Sequence, residues 1–269
     1  MNADPPTPST PCIGVFDSGV GGLSVLDALK RRLPRASFVY IGDVAHAPYG
    51  ERDPAEVVER CQRLVTWLAD RGAHTIVVAC NTATVLGIDA MRQRWPTLRF
   101  VGVEPGVKPA VAATRTRRIA VMTTPATAAS ARLRFLIEAF APGIHVHVEA
   151  CPGLAAIIER GVVHESHELT AVLAPQCARV RAARVDTVVL GCTHYPFVAP
   201  AIRALLGDAV RLIDTASAVA ERVGVVSGDA SDESPARLRV LSTGAIGPMQ
   251  RLLAHCRDLG PVEVEPLPI

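Results

Sequence analysis

The stretch Thr75-Ile76-Val77-Val78-Ala79-Cys80-Asn81-Thr82 reads as a buried strand that ends on a cysteine. Thr187-Val188-Val189-Leu190-Gly191-Cys192-Thr193-His194 repeats it position by position in character. A second pair stands upstream of each: Ile13-Gly14-Val15-Phe16-Asp17-Ser18 matches Ile119-Ala120-Val121-Met122-Thr123-Thr124. The offsets, 112 and 106 residues, agree to within one loop insertion. Two related α/β lobes are the economical reading, each presenting a cysteine at the carboxyl end of a strand. Ligands of open α/β sheets bind outside those ends, so two facing ends make one cleft with a thiol on each wall.

Working outward, short β-branched runs alternate with longer amphipathic stretches, the grammar of a largely parallel α/β fold. Strands are predicted at Ile13–Phe16, Phe38–Ile41, Thr75–Ala79 and Phe100–Val103, then at Ile119–Met122, Ile144–Glu149 and Val185–Leu190, with a last one at Leu238–Leu241. Helices are predicted from Leu23, over Pro54–Arg71, from Cys80 through Met91, around Ala128–Phe140, over most of 154–184 and over Pro248–Asp258. Ser227–Pro235 reads as a polar loop. The expected lobes are residues 12–104 completed by 215–269, and residues 105–214, with 1–11 as a disordered Pro/Thr-rich tail.

Composition narrows the function. Of 269 residues 49% are apolar and only 4% aromatic, so a large core must come from Ala, Val, Leu and Ile. Basic and acidic side chains number 28 and 26, a balance that gives no reason to expect nucleic acid or a membrane surface as partner. No apolar stretch reaches the roughly 20 residues of a membrane span, and the amino-terminal residues lack a signal peptide's apolar core. Seven cysteines, odd in number and without metal-ligand spacing, are expected to be reduced thiols of a cytoplasmic protein, with no bound metal.

A single cysteine is more often a small buried hydrophobe than a reagent, and Cys12, Cys61, Cys151, Cys177 and Cys256 are read that way. Cys80 and Cys192 stand apart because two repeats place them equivalently. A helix start beyond a strand-end cysteine favours thiolate over thiol. Inverting a stereocentre without a cofactor needs a thiolate on one face of the α-carbon and a thiol on the other, and paired thiols on opposite walls meet that need. Each thiol also needs a group that tunes its proton. His194 lies two residues past Cys192. Asp17 ends the strand expected beside that of Cys80, although a helix cap would account for Asp17 and Ser18 as well.

Two other readings are weaker. Gly19-x-Gly21-x-x-Ser24 with Asp43 further on approaches a dinucleotide fingerprint, but the third glycine is missing; the turn could equally hold a substrate carboxylate. Pyridoxal phosphate requires a buried lysine, and the two lysines, Lys30 and Lys108, sit in an Arg-rich helical stretch and after a turn. No cofactor is expected. His46 reads as a loop residue.

The segments Phe16-Asp17-Ser18-Gly19-Val20-Gly21-Gly22-Leu23, Ala47-Pro48-Tyr49-Gly50-Glu51, Ala79-Cys80-Asn81-Thr82-Ala83 and Leu190-Gly191-Cys192-Thr193-His194-Tyr195-Pro196 resemble the glutamate racemases in order and spacing, over about residues 12–257. The resemblance implies cofactor-free interconversion of L- and D-glutamate, with D-glutamate supplied to peptidoglycan. It implies that Cys80 takes the α-proton of the D-enantiomer and Cys192 that of the L-enantiomer, assisted by Asp17, His194 and Glu159, the last of which a surface helix would equally explain. It further implies substrate contacts from Ser18, Pro48, Tyr49, Gly50, Asn81, Thr82, Thr124, Thr127 and Thr193, and a homodimer. Val44 and His46 replace the family's usual Thr and Arg, Thr123 and Ala126 replace glycines, and Phe135 lies near a missing tyrosine. Aspartate or hydantoin racemases share the two-thiol logic, and a binding protein without catalysis is the rival from another class.

Overall fold

A computed structural model describes residues 12–227 and 236–269. The chain lays down β1 (Cys12–Asp17), β2 (Ser37–Gly42), β3 (Ala73–Val78) and β4 (Arg99–Gly102), then β5 (Arg118–Thr123), β6 (His145–Ala150), β7 (Thr187–Gly191) and β8 (Arg211–Ile213). It ends with β9 (Leu238–Ser242) and β10 (Val264–Pro266). Every pairing is parallel. One sheet has the order β10-β9-β2-β1-β3-β4 and the other β6-β5-β7-β8. The run β2-β1-β3-β4 thus corresponds strand for strand to β6-β5-β7-β8, the internal repeat written as topology.

The helices are α1 (Leu23–Arg32), α2 (Pro54–Ala69), α3 (Asn81–Arg94) and α4 (Val107–Ala113), followed by α5 (Pro125–Ala129), α6 (Ala131–Phe140), α7 (Leu154–Glu159) and α8 (His167–Ala182). The last three are α9 (Ala199–Leu206), α10 (Ala216–Ser227) and α11 (Ile246–Leu253). They cover the sheets, as parallel strands require, because a strand with neighbours on both edges and helices on both faces must be apolar throughout. Val15, Phe16, Ile76, Val77, Val78, Val188 and Val189 are accordingly buried. Local chemistry sets the ends: Asp53 caps α2 through the Ala55 and Glu56 N–H groups, with Pro54 at the first helical position.

Several expectations need correction. The helix predicted around Ala128–Phe140 is two helices, because Ser130 is extended and its hydroxyl caps α6 at Leu133 N. The helical span 154–184 is broken at residues 160–166, where Gly161 has φ of 83° and Ser166 begins α8 as its cap. The carboxy-terminal helix ends at Leu253 rather than Asp258. Leu238–Leu241 is not the last strand, since β10 follows it and β8 also went unread; both have three residues, too few to show a period. The expected tail 1–11 and most of the loop 227–235 lie outside the described residues, and Ser227 itself closes α10.

Candidate active site

Cys80 leaves the carboxyl end of β3 and caps α3, its sulfur accepting the Ala83 N–H at 3.4 Å. Cys192 follows β7 directly. With Ser18, Tyr49, Gly50 and Asn81 the two thiols line a single cavity of about 10 Å³. Pro48, Thr82, Thr124, Thr193, His194 and Ala155, the last not anticipated from the sequence, complete its wall. That space is about the size of one water molecule, smaller than an amino acid. Thr127 stands behind the wall. Its hydroxyl meets those of Thr124 and Thr82 at 3.1 and 3.4 Å, and Thr82 meets Thr124 at 3.0 Å.

The two thiols are held differently. The hydrogen bond of Cys80 goes to the Ser18 hydroxyl, at 3.7 Å. Burial pushes its pKa well above the ordinary thiol value, and the Asp17 charge adds to this; the Ala83 N–H and Ser18 hydroxyl pull the other way without reversing it. The helix start does pull toward thiolate at Cys80, through the Ala83 N–H, but burial outweighs it. At Cys192 no α-helix begins, because a turn and a 3₁₀ segment from Tyr195 precede α9. Its partner is His194, whose Nδ1 lies 3.4 Å from the sulfur.

His194 is bracketed on its other side by Glu159, with Nε2 2.5 Å from Oε1. Burial alone would lower the imidazole pKa, but the charges and hydrogen bonds of Cys192 and Glu159 hold it well above its ordinary value. The same Glu159 oxygen accepts the Val20 N–H at 3.0 Å, while Oε2 is buried without a partner. Glu159 is not the surface carboxylate that its helix alone would allow. Asp17 serves the glycine turn: its Oδ2 accepts the Gly19 and Gly22 N–H groups at 3.1 and 2.9 Å, and Thr193 reaches Oδ1 at 3.4 Å. Burial raises the Asp17 pKa, His194 lowers it and Glu159 raises it. Asp17, Glu159 and His194 bring ligand-type atoms within 4.8 Å of one another, and those atoms are engaged with each other and with these N–H groups.

The glycines of the Asp-Ser-Gly-Val-Gly-Gly turn have a reason the sequence reading missed. A Cβ on Gly19 would collide with the Glu159 carboxylate, and one on Gly21 would lie 2.5 Å from His194 Nδ1. The Gly19, Val20 and Gly22 N–H groups are taken by Asp17 and Glu159, which leaves them unavailable to the phosphates of a dinucleotide. Lys30 bonds the Pro34 carbonyl and Lys108 is exposed, so neither is a buried Schiff-base candidate. Asp43, read above only as the acid of a weak dinucleotide fingerprint, has a different setting. It is fully buried, accepts the Tyr49 hydroxyl at 2.6 Å and pairs with Arg60. Its signal was an arginine on the apolar stripe of α2, between Val57 and Leu64.

A family model described as Asp/Glu/Hydantoin racemase matches residues 13–223. The chain belongs to this family. It is 44% identical over 227 residues to the glutamate racemase of Stutzerimonas stutzeri, covering 81% of this chain and 86% of that one. A crystal structure of glutamate racemase isoform RacE1 from Bacillus anthracis matches with a TM-score of 0.86 at 30% identity, over 96% of this chain and 98% of the other. The Escherichia coli glutamate racemase, solved with L-glutamate and the activator UDP-MurNAc-ala, matches with a TM-score of 0.81 at 30% identity, over 96% and 98%. As a member of this racemase family the chain carries the two-sheet α/β architecture that its internal repeat implied.

Proposed function

We infer that the protein is a glutamate racemase, an amino-acid isomerase that inverts the α-carbon by taking a proton on one face and returning one on the other. The observation that carries the reading is the pair Cys80 and Cys192, each at the carboxyl end of a strand of a different sheet and both lining one buried cavity, in a chain 44% identical to a glutamate racemase over most of its length. Through its relatives the reading places the product, D-glutamate, in peptidoglycan synthesis.

The two walls suit the two halves of the reaction. On the Cys192 side, His194 Nδ1 stands 3.4 Å from the sulfur, within reach to exchange a proton with it. On the Cys80 wall, burial keeps the proton on the thiol, ready to be delivered. Ser18, Thr82 and Thr124 offer hydroxyls for the carboxylates, with Thr127 supporting them from behind, while the Tyr49 and Thr193 hydroxyls are committed to Asp43 and Asp17 and shape the wall. Asn81 Oδ1, buried without a partner, supplies an acceptor for the ammonium group. Glu159 and Asp17 act through His194 and the glycine turn.

The lobe division, 12–104 with 215–269 and 105–214, is supported by β9 and β10 joining the first sheet. A homodimer is supported by Phe135 and Phe140, large apolar side chains 55% and 39% exposed on α6, and light scattering reads its mass. Seven free thiols fit a reducing cytoplasm, and no helix among the described residues is long and apolar enough to cross a membrane. The test of function is proton NMR of L-glutamate with the purified protein in D₂O, without added cofactor, beside circular dichroism. Loss of the α-proton signal with decay of optical activity is expected. Exchange on aspartate but not glutamate, or glutamate binding without exchange, would overturn the reading.

A further inference from the structure

Tyr49 closes one side of the cavity between the thiols, yet the segment that carries it has little structure of its own. Residues 44–51 contain two three-residue 3₁₀ turns, Val44–His46 and Tyr49–Glu51. The ring is nevertheless only 1% exposed, and its hydroxyl donates to Asp43 Oδ2 at 2.6 Å. Whatever holds Asp43 therefore holds Tyr49.

Asp43 is held by a fork. Arg60 donates Nε to Oδ2 and Nη2 to Oδ1, both at 2.8 Å, the two-pronged geometry that fixes orientation as well as distance. Thr243 adds a bond to Oδ1 at 2.7 Å and accepts the Ala45 N–H at 3.2 Å, while His46 Nδ1 stands 3.2 Å from Oδ1. The third Arg60 nitrogen, Nη1, donates to the Ile269 carbonyl at 3.1 Å. Arg60 is 6% exposed on the buried stripe of α2, where an apolar side chain would pack without a desolvation cost. A buried ion pair is a poor source of stability, because removing two charges from water consumes most of their attraction. It is a good source of geometry. From this anchor the segment reaches the other lobe: a Cβ on Gly50 would lie 2.7 Å from Thr124, and Glu51 accepts the Gly153 N–H at 3.2 Å.

We propose that Arg60 is a positioning residue of the racemase site, fixing the Tyr49 wall against which substrate is held through its two-pronged grip on Asp43. The inference rests on the substrate-site reading above.

The test compares wild type, Arg60→Lys, Tyr49→Phe and the double variant by kcat and KM for glutamate, with circular dichroism and thermal melts for the folded fraction. Lysine keeps the charge but cannot make the fork. Folded Arg60→Lys is expected to raise KM about tenfold, the worth of one charge-assisted hydrogen bond. Tyr49→Phe, which leaves the ion pair whole, should raise KM similarly, and the double variant should be no worse than either alone. A merely structural role would lower Vmax with the folded fraction and leave KM unchanged, which would overturn the proposal. Additive effects in the double variant, or Tyr49→Phe with wild-type KM, would overturn it too, and the latter decides even if Arg60→Lys fails to fold. A wild type inert toward glutamate would remove the proposed function and this inference together, whereas an active wild type beside unchanged variants removes the inference alone.

Discussion

His194 Nε2 lies 2.5 Å from Glu159 Oε1, an oxygen that also accepts the Val20 N–H of the facing lobe at 3.0 Å. The carboxylate that tunes the imidazole is therefore also one of the contacts between the two lobes. Raised above its ordinary value, the His194 pKa has a defined sign in stability. The contribution is complete below about 6.5, the unfolded value, and is lost as pH rises through the higher folded value. Glu159→Gln removes one cause of the rise. Its Tm deficit against wild type is expected to be largest near pH 6 and to shrink at alkaline pH, with the His194 titration followed by NMR moving down. Activity should fall about tenfold, as for a lost charge-assisted hydrogen bond. A deficit that grows with pH would contradict the assignment.

The thiols themselves give the largest effect. On the proposed two-thiol mechanism, Cys80→Ala and Cys192→Ala should each lower racemisation by about a thousandfold or more, since each would remove a group that moves the proton. Polarimetry in both directions measures it, and near-normal turnover by either variant would remove the two-thiol mechanism.

Gly21→Ala tests whether the glycine turn exists to let His194 approach. The added methyl carbon would meet the ring at 2.5 Å, and displacing a catalytic group by about 1 Å can cost about a hundredfold. The variant is expected to fold, with a wild-type circular dichroism spectrum and activity reduced to that extent. Full activity would show that the ring has room to yield.

Away from the cleft, Asp186 gathers the chain ahead of β5. It accepts the Thr114 hydroxyl at 2.6 Å and the Arg115 and Thr116 N–H groups at 2.7 and 2.8 Å, and hydrogen bonds hold its pKa down at about 2 although burial opposes them. The stability this brings is present above the unfolded value near 3.9 and is lost as pH falls through about 2. Asp186→Asn, which turns an acceptor into a donor, is expected to cost about 1–3 kcal/mol at pH 7, or roughly 2–4 °C of Tm per kcal/mol. The gap should close toward pH 2. An equal gap at pH 7 and pH 2 would assign the loss to packing instead.

Much of this was legible in the residues. The strands ending at Cys80 and Cys192, their equivalence and the glycine turn are local patterns, because alternation and helical stripes depend on neighbours two to four positions away. Strands of three residues, such as β8 and β10, carry no such period, and Ser130 interrupts a helix that periodicity alone would continue.

The sequence by itself determined which residues could do chemistry and at which strand ends they stand. Tertiary structure alone decided their partners: Glu159 for Val20 across 139 residues, Thr193 for Asp17 across 176, and Arg60 rather than solvent for Asp43. It also decided that burial pushes the Cys80 thiol pKa up, since desolvation belongs to the packed site and not to the residue. Burial and long-range pairing are properties of the packed chain, and a linear pattern encodes them only through the fold it specifies.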